Sequence, residues 1–570
     1  MITQTGYPSI DKPWMKFYSP KCKEIDIPKC SLYENIWNNN KEHLSDIALH
    51  YFGTKITYGK LFDMIRIAEG RARKLDIKRG DKIGFISLYT PEMIALFYAL
   101  NKLGAVCCMM DPRTAPENLS KYIKSADIKC LFIQDACIDI IDKVLSIIEI
   151  KKAVVLSTCA SMEFPKKQLI YMKMHKKYSK SYIRFEKIDY EKIVDTETKP
   201  TDVGGQPAVV CYTGGTTGES KGVLLSNENI NSVVEQFRAP TGGFERQQKW
   251  LSPAVPFVAY FLICSLHMPL AFGMQCYIQL YDNERMIKAV IKYKINHLAA
   301  TPFFYEKLLK NKEKDFSYII MPTTGGDKLS EKTYNTINEY LEAGNCSWKI
   351  CNGYGMTEVS SGACISFNGK SNKANSVGIP LINTIVTAFD TGNGEELRQG
   401  QQGEICISSP CVMLEYLGNK AATDEVIRFH HGRRWMHTGD IGYIDEDGCV
   451  FIVGRLKRMI VRFDGFKIFP SLVEEKILTC PLVSDCSCVA MKDKEHEVGE
   501  VAVIFYTTKD KNAVAENIEN ELRKISEQLL PKYSQPSAYH MIDELPYTHA
   551  GKVDYRKLEG MLVKEIVCHE

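Results

Sequence analysis

The eleven residues Tyr212-Thr213-Gly214-Gly215-Thr216-Thr217-Gly218-Glu219-Ser220-Lys221-Gly222 concentrate the groups that bind a polyphosphate. Gly214, Gly215 and Gly218 let backbone N–H groups turn inward on an anion. The hydroxyls of Thr213, Thr216 and Thr217 add donors, and Lys221 adds a charge. Apolar runs, Ala208–Cys211 and Val223–Leu225, lead in and out, which reads as strand, loop, strand. The spacing is not that of a Walker loop: no glycine immediately precedes Lys221, and Gly222 stands where Ser or Thr is required. Taken alone, such a segment reads more readily as an ordinary turn.

Three further segments carry chemistry. In Asn352-Gly353-Tyr354-Gly355-Met356-Thr357-Glu358, an aromatic ring between glycines can lie flat on a base. Its Thr357–Glu358 pair offers oxygens to a hard cation. In Trp435-Met436-His437-Thr438-Gly439-Asp440, a carboxylate on a tight turn suits a ribose diol. Gly454-Arg455-Leu456-Lys457-Arg458 adds an arginine for ribose or phosphate oxygens. Ala550-Gly551-Lys552-Val553-Asp554 places a lysine beside a glycine, where a mobile domain can deliver it into a site. Each also has a plain reading: a turn tyrosine, a surface ion pair, a solvated lysine.

The elements that must hold these groups follow an α/β rhythm. Lys82–Leu88 reads as a strand, and a helix follows with Thr90 as N-cap, Pro91 and Glu92 in its first turn and a stop at Gly104. Strands at Ala105–Met110, Lys129–Ile133 and Ala153–Leu156 continue the alternation, which predicts a parallel, helix-covered sheet. After Arg455 the pattern changes. A strand at Glu500–Phe505 and a helix burying Ile518, Leu522, Ile525 and Leu529 predict a small α+β domain.

With 570 residues, more than one core is expected. A net charge of +3 carries no nucleic-acid signature. The start, Met1–Pro8, has no basic cluster or apolar run, so no signal peptide is expected. Ala254–Phe272 is apolar but interrupted by Pro256, His267 and Pro269, so it reads as a buried helix or pocket wall and not as a membrane span. The 20 cysteines contain no Cys-x-x-Cys pair, which argues against a zinc site or disulfide framework and for reduced thiols in a cytoplasm. The basic stretch Lys166–Lys187, with Tyr171, Tyr178 and Tyr182, reads as a solvated loop or helix face. Residues 1–45 suggest no function.

In this order and at these separations, the segments resemble the adenylate-forming superfamily of acyl-CoA synthetases, nonribosomal adenylation domains and beetle luciferases, from about residue 45 to about residue 558. The resemblance implies a large N-terminal domain, 1–456, made of two α/β subdomains and a β-rich one. A small mobile α+β C-terminal domain, 457–570, would turn on a hinge at Lys457. It implies that Thr213, Gly214, Gly215, Thr216, Thr217, Gly218 and Lys221 hold ATP phosphates, and that Tyr354 stacks on adenine. Thr357 would touch phosphate, Glu358 would hold Mg²⁺, and Asp440 with Arg455 would bind ribose. Lys552 would bridge the acid carboxylate and the α-phosphate. Rotation would then withdraw Lys552 and bring up the loop Val461–Lys467, whose Gly465 would let pantetheine approach closely.

The same resemblance places an acyl pocket at Ala254–Gly273, Thr301–Tyr305, Gly325-Gly326-Asp327 and Val359–Gly362, lined by Tyr260, Phe261, Cys264, Gly325 and Gly326. Family members that activate α-amino acids usually carry an Asp in the first of these segments; none is present here. Ala259 stands where many acyl and aryl members have a histidine or second aromatic. The expected substrate is a neutral, apolar carboxylic acid, fatty or aryl. CoA is the expected acceptor, with Arg458, Arg462 and Lys467 grouped for its 3′-phosphate. The alternatives are loading of a carrier-protein phosphopantetheine and a non-catalytic nucleotide-binding protein of the same fold.

Overall fold

Residues 5–22, 24–150, 152–178, 203–213, 220–241, 244–313, 315–493, 495–508, 514–547 and 553–568 are described by the computed structural model. Gly214, Gly215, Thr216, Thr217, Gly218 and Lys552 lie outside them, as does the basic stretch beyond Tyr178.

The apolar runs assemble a seven-stranded sheet in the order Glu415–Tyr416, Gly222–Ser226, Pro207–Tyr212, Val106–Met110, Lys82–Ile86, Cys130–Gln134, Ala153–Leu156. The last five run parallel, as expected of alternating strands and helices. Gly222–Ser226 and Glu415–Tyr416 do not: each pairs antiparallel with its neighbour. The connection from 213 to 221 is too short for a crossover helix, so the chain must turn back as a hairpin. Thr90 caps the helix Pro91–Lys102 by accepting the Met93 N–H at 3.1 Å, and Gly104, at φ +76°, takes the left-handed conformation that ends it.

A second, four-stranded sheet combines Thr54–Thr57, Ile47–Tyr51, Gln275–Gln279 and Lys249–Pro253. Ala299–Ala300, Thr323–Thr324, Cys351–Tyr354, Cys364–Ile365 and Ile379–Pro380 form a five-stranded one. A β-rich sheet follows, in which Arg433–Ile444 is flanked by Gly403–Ser408, Ile427–His430 and Val450–Arg455. The apolar segment 254–272 folds as a buried helical unit with a π-turn at Ile263–His267. No described helix is long and apolar enough to cross a membrane. Lys166–Tyr178 is a helix with Tyr171 exposed.

The tail contains the strands Val483–Lys492, Glu500–Thr508 and Ala538–Met541 with the helix Ala515–Leu529. Ile518 and Leu522 are buried and Ile525 packs beside them, but Leu529 is 48 % exposed. The backbone leaves helical geometry at Leu530, which turns inward in its place. No disulfide joins the described cysteines.

The sequence offered no role for the first 45 residues. Trp14 and Tyr18 are buried against Ile379, Ile385, Phe389 and Trp435. The Tyr18 hydroxyl donates to the Pro380 carbonyl at 2.7 Å. The leading segment is therefore part of the core of the β-rich region.

Candidate active site

The Gly/Thr loop springs from the hairpin Pro207–Tyr212/Gly222–Ser226. Its base is closed by the Thr213 N–H donating to the Lys221 carbonyl at 3.0 Å and by the Ser220 hydroxyl donating to the Thr213 carbonyl. The Lys221 ammonium stands 4.6 Å from the centre of the Tyr416 ring, a cation–π contact. Tyr416 arrives because Glu415–Tyr416 adds to the sheet edge opposite Val223 and Leu224. Its hydroxyl donates to Glu358 Oε1 at 2.8 Å.

Glu358 sits on the single turn Thr357–Val359, and the Met413 N–H donates to its carbonyl at 2.7 Å. Burial pushes its carboxyl pKa up, against the opposing pull of the Tyr416 hydroxyl and of the Arg455 and Lys221 charges. Thr357, half-buried, precedes it. The turn stays tight because Gly355 has no side chain: a Cβ there would lie 1.9 Å from the Ser361 carbonyl oxygen.

Tyr354 ends the strand Cys351–Tyr354, and its hydroxyl donates to Asp440 Oδ2 at 2.5 Å. Arg455 Nε approaches the other oxygen, Oδ1, at 2.6 Å. Antiparallel register sets this pair, since Asp440 and Arg455 stand directly opposite on Arg433–Ile444 and Val450–Arg455. Asp440 is 3 % exposed, whereas the Arg455 side chain is 52 % exposed, so the carboxylate is buried and its cation reaches the surface. Tyr354, Glu358, Asp440, Arg455 and Lys221, up to 234 positions apart in sequence, thus stand together.

Sequence reasoning missed two contributors. Tyr416, in an otherwise unremarked strand, ties the phosphate-type loop to Glu358. Glu404 clamps the turn that carries Asp440: Oε1 accepts the Gly439 N–H at 3.0 Å, and Oε2 bonds His437 Nδ1 at 2.8 Å. Burial raises the Glu404 pKa, but these hydrogen bonds outweigh it and hold the pKa below the usual value. Glu404, Cys406 and His437 lie close enough together to share a cation. Burial pushes the Cys406 thiol far up, away from the thiolate a metal needs. A carboxylate two residues before a cysteine gives no signal until a register pairs it with Gly439.

The segments expected to line an acyl pocket stand near one another: Cys264 lies against Ser361, and Tyr260 neighbours Tyr305. Gly325 and Tyr260 meet: a Cβ on Gly325 would lie 3.8 Å from the Tyr260 hydroxyl and 3.2 Å from the Gly353 carbonyl oxygen. Cys264 is buried in the adjoining π-turn, and Gly326 adopts φ +85°. Phe261 turns toward Tyr281, with ring centres 5.5 Å apart.

Lys457 lies exposed on the turn Leu456–Arg458. Gly465, at φ +81°, forms the open tip of the hairpin Ile460–Val461/Lys467–Ile468, and its described contacts do not reach the Tyr354–Asp440 cluster. Of the expected grouping of Arg458, Arg462 and Lys467, the last two share the hairpin Ile460–Val461/Lys467–Ile468, whereas Arg458 turns away. Arg458 bonds Glu474 at 2.8 Å and covers the Tyr555 ring at 3.6 Å, because it is drawn into the core of the small domain. Arg462 pairs with Asp464, and Lys467 Nζ reaches Thr391 Oγ1 at 3.4 Å.

The Tyr354–Asp440–Arg455 group and the Lys221–Tyr416–Glu358 chain thus stand on an α/β fold. Residues 36–417 match the AMP-binding enzyme family and residues 472–552 its C-terminal domain; the chain belongs to the AMP-binding enzyme family. A long-chain-fatty-acid–CoA ligase of Escherichia coli O157:H7 is 26 % identical over 525 residues, covering 89 % of this chain and 90 % of that protein. The 4-coumarate–CoA ligase CCL1 of Humulus lupulus is 27 % identical over 527 residues, with 90 % of each covered. Among solved structures, ATP-bound MatB from Rhodopseudomonas palustris superposes with a TM-score of 0.77 at 19 % identity, covering 93 % of this chain and 98 % of that one. The anthranilate CoA ligase AuaEII in complex with anthranoyl-AMP gives 0.77 at 17 % identity, covering 94 % and 98 %. The fold is accordingly a large N-terminal domain followed by a small C-terminal one.

Proposed function

We propose that the chain is an AMP-forming acid–CoA ligase. A carboxylate oxygen attacks the α-phosphorus of ATP and releases pyrophosphate, and the thiol of CoA then attacks the acyl carbon and releases AMP. The observation that carries this reading is the cluster in which Tyr354 and Arg455 hold both oxygens of the buried Asp440, next to the Lys221–Tyr416–Glu358 chain.

Asp440 binds the ribose diol, with Arg455 moving aside from its present pairing, and Tyr354 packs on adenine. Thr213, Lys221 and the loop residues 214–218 bind the β- and γ-phosphates, and Thr357 touches phosphate. Glu358 fits a hard cation: one of its oxygens accepts from Tyr416, no described side chain bonds the other, and burial favours a charge partner. Mg²⁺ bound there would neutralise phosphate charge. Lys552 offsets the repulsion between carboxylate and α-phosphate. Residues 1–456 and 457–570 act as body and moving domain about Lys457, and Gly465 admits pantetheine in the second half-reaction. The matched relatives, named for fatty-acid and 4-coumarate ligation, support an acyl or aryl acid as substrate.

Pyrophosphate release across an acid panel, with and without CoA, tests the reading. Acid-dependent release, followed by CoA-dependent AMP and thioester formation, is expected. Exchange with amino acids alone, or thioester formed only on a holo carrier protein, would replace it.

A further inference from the structure

From Ala254 to Cys264, Tyr260 is the only residue whose side chain carries oxygen or nitrogen. Its hydroxyl is shut off from solvent and has no hydrogen-bond partner among the described residues. Thr324, directly before Gly325, is wholly buried, and its hydroxyl is likewise unpaired among the described residues. The Tyr260 hydroxyl lies 3.8 Å from where a Cβ on Gly325 would stand, so Gly325 presents backbone and no side chain to the phenol. Buried polar groups are nearly always paired, and an unpaired one marks a place where a ligand or a water completes the bond.

Aromatic and small residues surround the hydroxyl. Phe261 packs on the Tyr260 ring at 5.2 Å, and Cys264 follows one turn on in a π-helical stretch, a geometry common at ligand sites. Burial pushes the phenol pKa far up, so this group is a neutral donor and acceptor and never an anion.

We propose that the acid activated here carries a hydrogen-bonding oxygen away from its carboxylate, a phenolic or alcoholic hydroxyl, which pairs with the Tyr260 hydroxyl beside Gly325. The inference rests on the ligase reading and narrows its substrate from apolar acids to hydroxylated ones. A site with a buried hydroxyl discriminates strongly against an analogue lacking the partner group, because that analogue strands the hydroxyl again. A plain hydrocarbon chain gains nothing from Tyr260.

Matched pairs test it: cinnamic acid against its 2-, 3- and 4-hydroxy forms, and dodecanoic against 12-hydroxydodecanoic acid. Pyrophosphate release is followed in the full chain and in Tyr260→Phe. The expected result is at least one hydroxylated acid favoured about tenfold or more in kcat/KM over its parent. In Tyr260→Phe that ratio collapses to near unity, because the hydroxylated acid loses the advantage that the phenol gives it. Tyr260→Phe removes an unpaired buried hydroxyl, so its Tm should equal or exceed that of the original chain. Equal use of both members of every pair, or a preference that survives Tyr260→Phe, overturns the proposal and leaves the ligase reading intact. No acid-dependent release from any acid in the original chain overturns both.

Discussion

Tyr416 and Asp440 concentrate the electrostatics of the site. Glu358 must be ionised to hold a cation, and burial raises its pKa. Activity should therefore fall, as pH is lowered, at a higher pH than an exposed glutamate would dictate. Tyr416 opposes that rise by donating to Oε1. In Tyr416→Phe the acid limb of the pH–rate profile is expected to move to higher pH, and the Mg²⁺ concentration for half activity to rise about tenfold. A profile and Mg²⁺ demand like those of the original chain would remove Tyr416 from this role. Asp440→Asn keeps shape but removes the charge that Arg455 and Tyr354 share. We expect the KM for ATP to rise about tenfold or more, because charge-assisted bonds to both sides are weakened. Steady-state kinetics at saturating acid would show it.

At the scale of elements, two short segments do more than their length suggests. The turn from Tyr354 to Glu358 depends on Gly355, whose Cβ would collide with the Ser361 carbonyl oxygen at 1.9 Å. Backbone cannot give way as a side chain can, so Gly355→Ala should cost about 1–3 kcal/mol of stability and displace Tyr354 and Glu358 together. Thermal unfolding and nucleotide titration would both register the change. The leading segment is the second case. Trp14 is 1 % exposed within the β-rich core. Trp14→Ala is expected to destabilise by about 3–5 kcal/mol through the cavity it opens, read as a fall in Tm. An unchanged Tm would show that residues 8–18 are dispensable decoration.

For the whole molecule, the question is how one site serves two half-reactions. Among the described contacts between the large and small domains, Lys328 Nζ bonds Glu475 at 3.3 Å and the Ser471 carbonyl at 3.4 Å, and the Lys328 and Glu475 side chains are partly exposed. Exposed pairs of this kind contribute little, so Lys328→Ala should shift stability by no more than about 1 kcal/mol. Under the proposed hinge at Lys457, reorientation of the tail would break this pair. Lys552→Ala should lower adenylate formation about a hundredfold or more while sparing thioester synthesis from supplied acyl-AMP. Pyrophosphate exchange at the original rate in that variant would take Lys552 out of the reaction.

Local pattern was enough for the strands around Thr213 and Lys221, the capped helix at Thr90 and the buried nature of 254–272, whereas the Tyr354, Glu358, Asp440 and Arg455 segments were legible only through their order and separation along the chain. The former are local matters: turn chemistry, caps and apolar period act within a few residues and are legible in any one chain. Folding alone brings Asp440 opposite Arg455 across a strand pair, lets it accept from Tyr354 and sets Glu404 behind the turn. It alone decided that Tyr416 reaches Glu358, that Arg458 turns into the small domain, and that Trp14 belongs to a core hundreds of residues away. Register, sheet order and long-range packing set those contacts, and they depend on partners that no local pattern specifies.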